Sequence, residues 1–295
     1  MGAVLSKGQL FNSEMTGEVK NLVRGFSSLA KMSESRPISI TGSDVFTYNF
    51  DNEASIVGEN ELKPAGGATV GRVTIRPVKV VYQHRVSDEF MRSAERRIDL
   101  LAEFQTAFAK SVARQIDIGA FHGINAATGK ASPAIGDNHF DHDVTAITPA
   151  SGATANDKIE AAISAVQGAN HEVTGIIMSP VMKQSLAQMK KTDGTPYFAE
   201  LQWGSSPEAV NGLATSINNT VAVGNVDAAI VGNFRDMFRW GMASDILFRV
   251  FDVGNPDNSA AGDLAALNQL LLRGEVYVGW AVIDPAAFSR IPVGE

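Results

Sequence analysis

Apolar side chains recur along this chain with two different periods, and the switches between them outline its elements. Over residues 14–32, Val19, Leu22, Val23, Phe26 and Leu29 fall on one stripe at helical spacing. This predicts a short amphipathic helix, ended by the Ser33–Pro37 break. Thr47-Tyr48-Asn49-Phe50 alternates like a strand, and so does Val73–Val86 through Val73, Ile75, Val78, Val80, Tyr82 and Val86. Pro77 cannot donate to a ladder, which excludes the second strand from the middle of a sheet. Between the two, Asp51–Gly71 is polar, acidic and rich in glycine, with Pro64-Ala65-Gly66-Gly67 near its centre. The pair reads as a β-hairpin arm of roughly 40 residues with ~20 in its tip, a length that compact domains reserve for segments with a function.

Ser87-Asp88-Glu89 then supplies an N-cap and an acidic first turn. Phe90, Ala94, Ile98, Leu101, Phe104, Phe108, Val112 and Ile116 follow in steps of three or four, and Gly119 and Gly123 close the run. Unbroken, ~32 residues at 1.5 Å each would span nearly 50 Å. The run lacks a sustained heptad seam, so a short helix, a kink near Arg96–Asp99 and a long helix to about Phe121 are expected. Residues 124–155 are loop-rich with room for a short pair of strands. From 156 the pattern becomes helix (Asn156–Gln167), buried strand (Thr174–Met178) and helix (Val181–Lys191, capped by Ser179-Pro180), then a turn at Asp193-Gly194. Short apolar segments follow at 220–223, 227–231 and 246–251. Ala260–Leu272 opens as a helix, and Glu275–Ile283 is a strand with Val276, Val278, Trp280 and Val282 on one side. The fold class is α+β, with no tandem repeat.

Composition narrows the function. The 295 residues are 44% hydrophobic and carry a net charge of −7, enough to build real cores and too acidic for a surface made throughout to grip phosphates. The absence of cysteine excludes disulfides, thiolate metal sites and a cysteine nucleophile. No segment reaches the ~18 apolar residues of a membrane span. Charge is segregated along the arm. Residues 51–63 carry Asp51, Glu53, Glu59 and Glu61 against Lys63, a net of −3. Residues 72–97 carry Arg72, Arg76, Lys79, Arg85, Arg92, Arg96 and Arg97 against Asp88, Glu89 and Glu95, a net of +4. Such blocks are either solvated faces or the two sides of a contact, the acidic arm of one copy on the basic patch of the next.

Signals of catalysis are weak. Gly123-x5-Gly129-Lys130-Ala131 differs from a phosphate loop in spacing, in its final residue and in following a helix, so no cofactor is expected there. His139, Asp141, His142 and Asp143 form the densest set of possible metal ligands, read either as a divalent-ion site of a metal-dependent hydrolase or as a polar turn. No serine sits in a nucleophile-elbow motif. A long arm beside a long helix suits a building block better than an enzyme.

The ordered set Glu61-Leu62-Lys63-Pro64, Val86-Ser87-Asp88-Glu89 and Gly175-Ile176-Ile177-Met178-Ser179-Pro180, followed by Met189–Pro196, resembles the major capsid proteins of tailed bacteriophages, the Hong Kong 97-type fold. The resemblance covers residues 15 to 291. It implies an N-terminal arm (1–44), an extended loop (45–86), a peripheral domain on a long spine helix (87–150 with 265–295) and an axial domain (151–264). It further implies hexamers and pentamers in an icosahedral virion shell, assembled in the host bacterial cytoplasm around double-stranded DNA. Separate scaffolding, portal and decoration proteins are the partners it brings, with no membrane. An encapsulin-like nanocompartment shell shares the fold and is the nearest alternative. Some members crosslink their shells through Lys–Asn isopeptide bonds with a Glu seven residues after the Asn. Lys63, Asn268 and Glu275 match that pattern, with Glu275 as the base that would accept the lysine's proton. Glu59, Glu61, Lys63, Arg72, Arg76, Arg92, Arg96 and Arg97 are the candidate contacts between subunits.

Overall fold

The computed structural model describes residues 13–50, 54–92 and 94–293. The first described elements are α1 (Ser13–Phe26) and α2 (Ser28–Met32). The single helix expected over 14–32 is broken at Ser27, whose hydroxyl oxygen accepts from the Ala30 amide and so starts a new helix. Val19, Val23 and Leu29 are buried as the stripe predicts.

Strands β1 (Ser43–Phe50) and β2 (Ala68–Ile75) pair antiparallel from Ser43↔Ile75 to Phe50↔Ala68. Strand β3 (Val78–Ser87) follows. The run expected as one strand from 73 to 86 is therefore two, divided at Pro77. The first half belongs to the hairpin; the second pairs with the body of the protein.

Helix α3 (Asp88–Met91) and the 29-residue α4 (Ala94–His122) come next. The interruption lies at Arg92, before the Arg96–Asp99 position expected. At ~1.5 Å per residue α4 is about 44 Å long. One of its faces, from Phe108 through Val112, Ile116 and Ala120, is buried. Gly119 sits inside this helix because a Cβ there would meet the Trp280 ring at 2.8 Å; Gly123, at φ +65°, ends it.

The expected short strand pair is β4 (Ile124–Asn125) with β5 (Lys130–Ala131), so the segment resembling a phosphate loop is a small hairpin. A single turn, α5 (Phe140–Asp143), buries Phe140 among Phe121, Phe238 and Phe288. Then α6 (Ala155–Gly168) starts on a capping box of Thr154 and Asp157. Strand β6 (Gly175–Met178) leads to α7 (Pro180–Ala187), capped by the Ser179 hydroxyl with Pro180 in the first turn. Helix α7 stops four residues short of the expected Lys191, because residues 188–197 double back through a Lys190↔Pro196 bridge and a Tyr197-to-Met189 backbone bond.

The remaining elements are β7 (Ala209–Val210), β8 (Leu213–Ile217), β9 (Asp227–Gly232), α8 (Phe234–Met237), β10 (Phe238–Met242), β11 (Leu247–Phe251), β12 (Gln269–Val282) and β13 (Phe288–Pro292). No α-helix opens 260–272. Asn258, Gly262 and Asn268 take positive φ there, and the segment holds one 3₁₀ turn at Ala265–Leu267 before β12 begins.

Two sheets organise the body. In the first, β12 is central: β3 lies along one edge, and β11 along the other at the shared residues Leu271–Glu275, with β10 paired further along. The second runs β13-β9-β6-β8-β7, with only β6 and β8 parallel. One core packs α1, α2 and α4 on β12, with Val276, Val278, Trp280 and Val282 in its interior. Another packs α6 and α7 against the five-stranded sheet through Ile176, Met178, Leu186 and Ile291. Strands β10 and β11 precede residue 264 yet pair with β12, while β13 joins the sheet of residues 175–232. The segmentation expected at 264/265 is thus crossed in both directions by strand pairing.

Candidate assembly surface

The β1–β2 hairpin has two unlike faces, because side chains alternate along a strand. Val45 and Val73 are cross-strand partners and pack with Ile38, Ile75 and Ala281 at the hairpin's base. The opposite face carries Phe46, Tyr48 and Val70, all more than half exposed, with Tyr48 directly across from Val70. Beyond the strands, Ile56 and Leu62 are 103% and 97% exposed. Burying these five side chains would remove on the order of 500 Å² of apolar surface, a gross gain of about 12 kcal/mol. A solitary chain gains none of it. Exposed apolar surface concentrated on one projecting arm marks an interaction site.

The charged candidates fall into three groups. Glu59, Glu61 and Lys63 are exposed in the tip, where the Glu61 carboxylate accepts from the Gly58 amide at 2.9 Å. Arg72 and Arg76 are exposed on and just after β2; Arg72 is 3.8 Å from Asp44. Arg92 is turned onto Asp88 of its own helix at 2.8 Å. The side chains of Arg96 and Arg97, like Asp51 and Glu53 of the acidic block, lie outside the described residues. Two further cations of the basic block are committed within the chain: Lys79 to Glu275 at 3.0 Å, and Arg85 to Asp257, Asn255, Gln269 and the Gly262 carbonyl. The block of seven is consequently much less of a surface patch than its sequence suggests.

Sequence reasoning missed two buried polar joints. Asp117, on the buried face of α4, is fully buried and accepts from Ser27 Oγ (2.6 Å), the Ser28 and Leu29 amides (2.9 and 3.2 Å), Thr220 Oγ1 (3.2 Å) and Asn218 Nδ2 (3.3 Å). It thereby caps α2 from another element and ties the 218–220 loop to the same atoms. Burial pushes its carboxyl up to about 6, against the opposing pull of these hydrogen bonds. A lone acid within the stripe Val112, Ala113, Ile116, Ala120 was the available signal. The second joint surrounds Arg290, which donates to Asp227 Oδ2 (2.9 Å) and to the Asp141 and Val144 carbonyls (2.8 and 3.2 Å).

The chain that builds this hairpin, long helix and pair of sheets matches, over residues 8–292, the family model described as phage capsid family. The chain belongs to that family. Among solved structures, a chain titled Mycobacterium phage Ogopogo is 26% identical, with a TM-score of 0.75, covering 90% of this chain and 91% of that one. A chain of Gordonia phage Cozz is 22% identical, with a TM-score of 0.74 over 91% and 87%. A capsid chain of an empty GTA particle shares the fold at 16% identity and a TM-score of 0.65, over 92% and 90%. No curated protein matches the chain. As a phage capsid protein, it is a structural component of a virion.

Within one capsid subunit the three residues of the crosslink pattern are not brought together. Asn268 ends the 3₁₀ turn in a left-handed conformation (φ +49°), and Glu275 lies seven residues along β12, ~20 Å away at strand spacing. Glu275 is largely buried and paired with Lys79, while Lys63 is in the exposed tip. The metal candidates also diverge. Asp141 Oδ2 meets His122 Nδ1 at 2.8 Å, and His142 turns to its neighbour Asp143 at 3.0 Å. Among the described residues no three His, Asp or Glu side chains are placed to hold a metal ion. Burial lowers the His139 pKa, and the Asp143 hydrogen bond raises that of exposed His142. His139 is the N-cap of α5, on which Asp141, His142 and Asp143 lie, and Asp141 serves the Arg290 joint.

Proposed function

We propose that each capsid subunit lays its β1–β2 hairpin across a neighbouring copy, and that this contact closes hexamers and pentamers into an icosahedral shell around double-stranded DNA. The supporting observation is the apolar face of Phe46, Tyr48 and Val70, continued by Ile56 and Leu62, which finds no cover on its own chain. Glu59, Glu61 and Lys63 at the tip, with Arg72 and Arg76 at its base, fix the register of that contact more than they add affinity. In this reading residues 1–44 are the N-terminal arm and 45–86 the extended loop, with β3 fastened to the body. The peripheral and axial regions are those expected, with β10, β11 and β13 exchanged between them. Scaffolding, portal and decoration proteins are separate chains, and assembly takes place in the host bacterial cytoplasm.

Deleting Asp51–Gly71 is the direct test. The variant folds and stays soluble, and electron microscopy finds no closed shells. Normal shells from it would refute the hairpin's role. An encapsulin-like shell differs in its contents, so nuclease-protected DNA in purified particles separates the two readings. A covalent Lys63–Asn268 bond would join different subunits, Lys63 lying in the exposed tip; a denaturing gel of purified particles reads it directly.

A further inference from the structure

The joint around Arg290 gathers four ionisable groups from four elements. His122, the last residue of α4, has a side chain only 1% exposed. Its Nε2 lies 3.1 Å from the Thr220 carbonyl, and its Nδ1 lies 2.8 Å from Asp141 Oδ2 on α5. A carbonyl only accepts, so Nε2 carries a hydrogen. The Nδ1···Oδ2 contact holds another, whichever partner owns it, because without it two acceptors would face each other. That proton and the Arg290 charge balance the two carboxylates, Asp141 and Asp227.

One contact stays unbalanced. Arg290 on β13 gives its Nε–H to Asp227 Oδ2, and its Nη2 lies 3.3 Å from Asp141 Oδ1 in an ion pair without a hydrogen bond. Asp141 Oδ1 and Asp227 Oδ1 are both buried with no hydrogen-bond donor, and the two carboxyls stand within hydrogen-bonding reach of one another. Two buried carboxylates held by one guanidinium repel; one more proton between them replaces that repulsion by a hydrogen bond.

We propose that Asp227 takes up a proton from solvent and donates it to Asp141 Oδ1, making this joint a proton-operated clasp that tightens as pH falls. Burial pushes the Asp227 carboxyl up to about 6 against the opposing Arg290 hydrogen bond, with Asp141 adding to the rise. Burial also acts upward on Asp141, but His122 and Arg290 outweigh it and hold that carboxyl below its ordinary value. The proton therefore sits on Asp227. Arg290 from β13 and Asp141 from α5 are the charged groups facing it, with His122 from α4 on the far oxygen of Asp141; His139, His142 and Asp143 lie on and beside the α5 turn, and the Thr220 carbonyl holds His122. The clasp joins the end of the spine helix α4 to β9 and β13. Arg290 also anchors the segment after α5, through its own amide to the Thr145 carbonyl and through its carbonyl from the Ile147 amide.

The sign follows from the raised value. A folded-state pKa above the unfolded one gives stability that is complete below about 4 and is lost as pH rises through about 6. Asp227→Asn puts an amide N–H where the proton would be and keeps an oxygen for Arg290, fixing the clasp in its closed form. The ratio of wild-type to D227N unfolding constants, measured at matched assembly state, should change about tenfold between pH 7 and pH 5, with wild type gaining on acidification. The protonated-carboxyl infrared band at pH 5 should be weaker by about one carboxyl in D227N than in wild type. A pH-independent ratio together with an unchanged band would overturn the proposal, since a simple Asp227–Arg290 ion pair predicts an equal loss at both pH values. If D227N does not fold, Asp141→Asn answers the same question: its amide donates to Asp227, and the proposal fails if the pH dependence and the band survive that change.

Discussion

Replacing Asp117 by alanine removes the acceptor on which the N-terminal helices and the 218–220 loop converge. Five donors lose their partner; the half-buried Asn218 amide turns to solvent, which leaves four to cost. The Ser28 and Leu29 amides are fixed by the helix start and cannot turn elsewhere, at about 1–3 kcal/mol each; the hydroxyls of Ser27 and Thr220 rotate and cost about 1 kcal/mol each. The gross loss is about 6 kcal/mol. Against it stands relief of the buried charge: burial pushes the carboxyl up to about 6, which makes its ionised form roughly 3 kcal/mol less favourable in the folded state. The net destabilisation at pH 7 is therefore about 3 kcal/mol. Because the folded-state value lies above the unfolded one, wild type gains relative to the variant as pH falls, by about tenfold in the unfolding constant from pH 7 to pH 5. Urea unfolding of the unassembled chain at both pH values reads the two numbers. A loss under 0.5 kcal/mol on the scale of ordinary surface changes, or a gap that narrows on acidification, would refute the reasoning.

Lys63→Ala leaves the subunit's fold and shell closure intact, because the side chain is exposed and remote from both cores; any covalent ladder on a denaturing gel disappears, and a ladder that persists removes Lys63 from the chemistry. Asp257→Asn loosens the 252–268 loop, which Arg85 holds through Asp257, Asn255 and the Gly262 carbonyl. The Arg85 hydrogen bond depresses the Asp257 carboxyl to about 2, so the wild-type advantage is present above about pH 4 and fades as pH falls toward 2. Amide exchange in the loop should be faster in the variant at pH 7 and alike in both proteins near pH 2; equal exchange at pH 7 would show that the ion pair does not restrain the loop.

The long-range plan was legible where one physical signal dominates. The α4 stripe, the alternation along β12 and the Ser179-Pro180 cap each follow from local spacing or capping chemistry, and each stands in the structure. Boundaries set by a single polar side chain were harder. The break at Ser27 depends on a hydroxyl that caps one helix and reaches Asp117, 90 residues away. The Ala- and Leu-rich 260–272 segment has helical composition, but Asn258, Gly262 and Asn268 commit it to turns. Charge blocks misled most. Arg85 and Lys79 read as surface cations, yet their partners Asp257 and Glu275 lie nearly two hundred residues on, beyond any local pattern. The Asp141–Asp227–Arg290 joint was invisible for the same reason, although Asp141 itself stood out within the polar cluster 139–143.

The central claim is that this chain closes shells through its own hairpin. Electron microscopy of the protein expressed with its neighbouring genes tests it most directly. Uniform closed particles, with density for the 54–67 tip lying over the adjacent subunit, are the predicted result. Closed particles whose tips project free into solvent, or subunits that never associate, would contradict it.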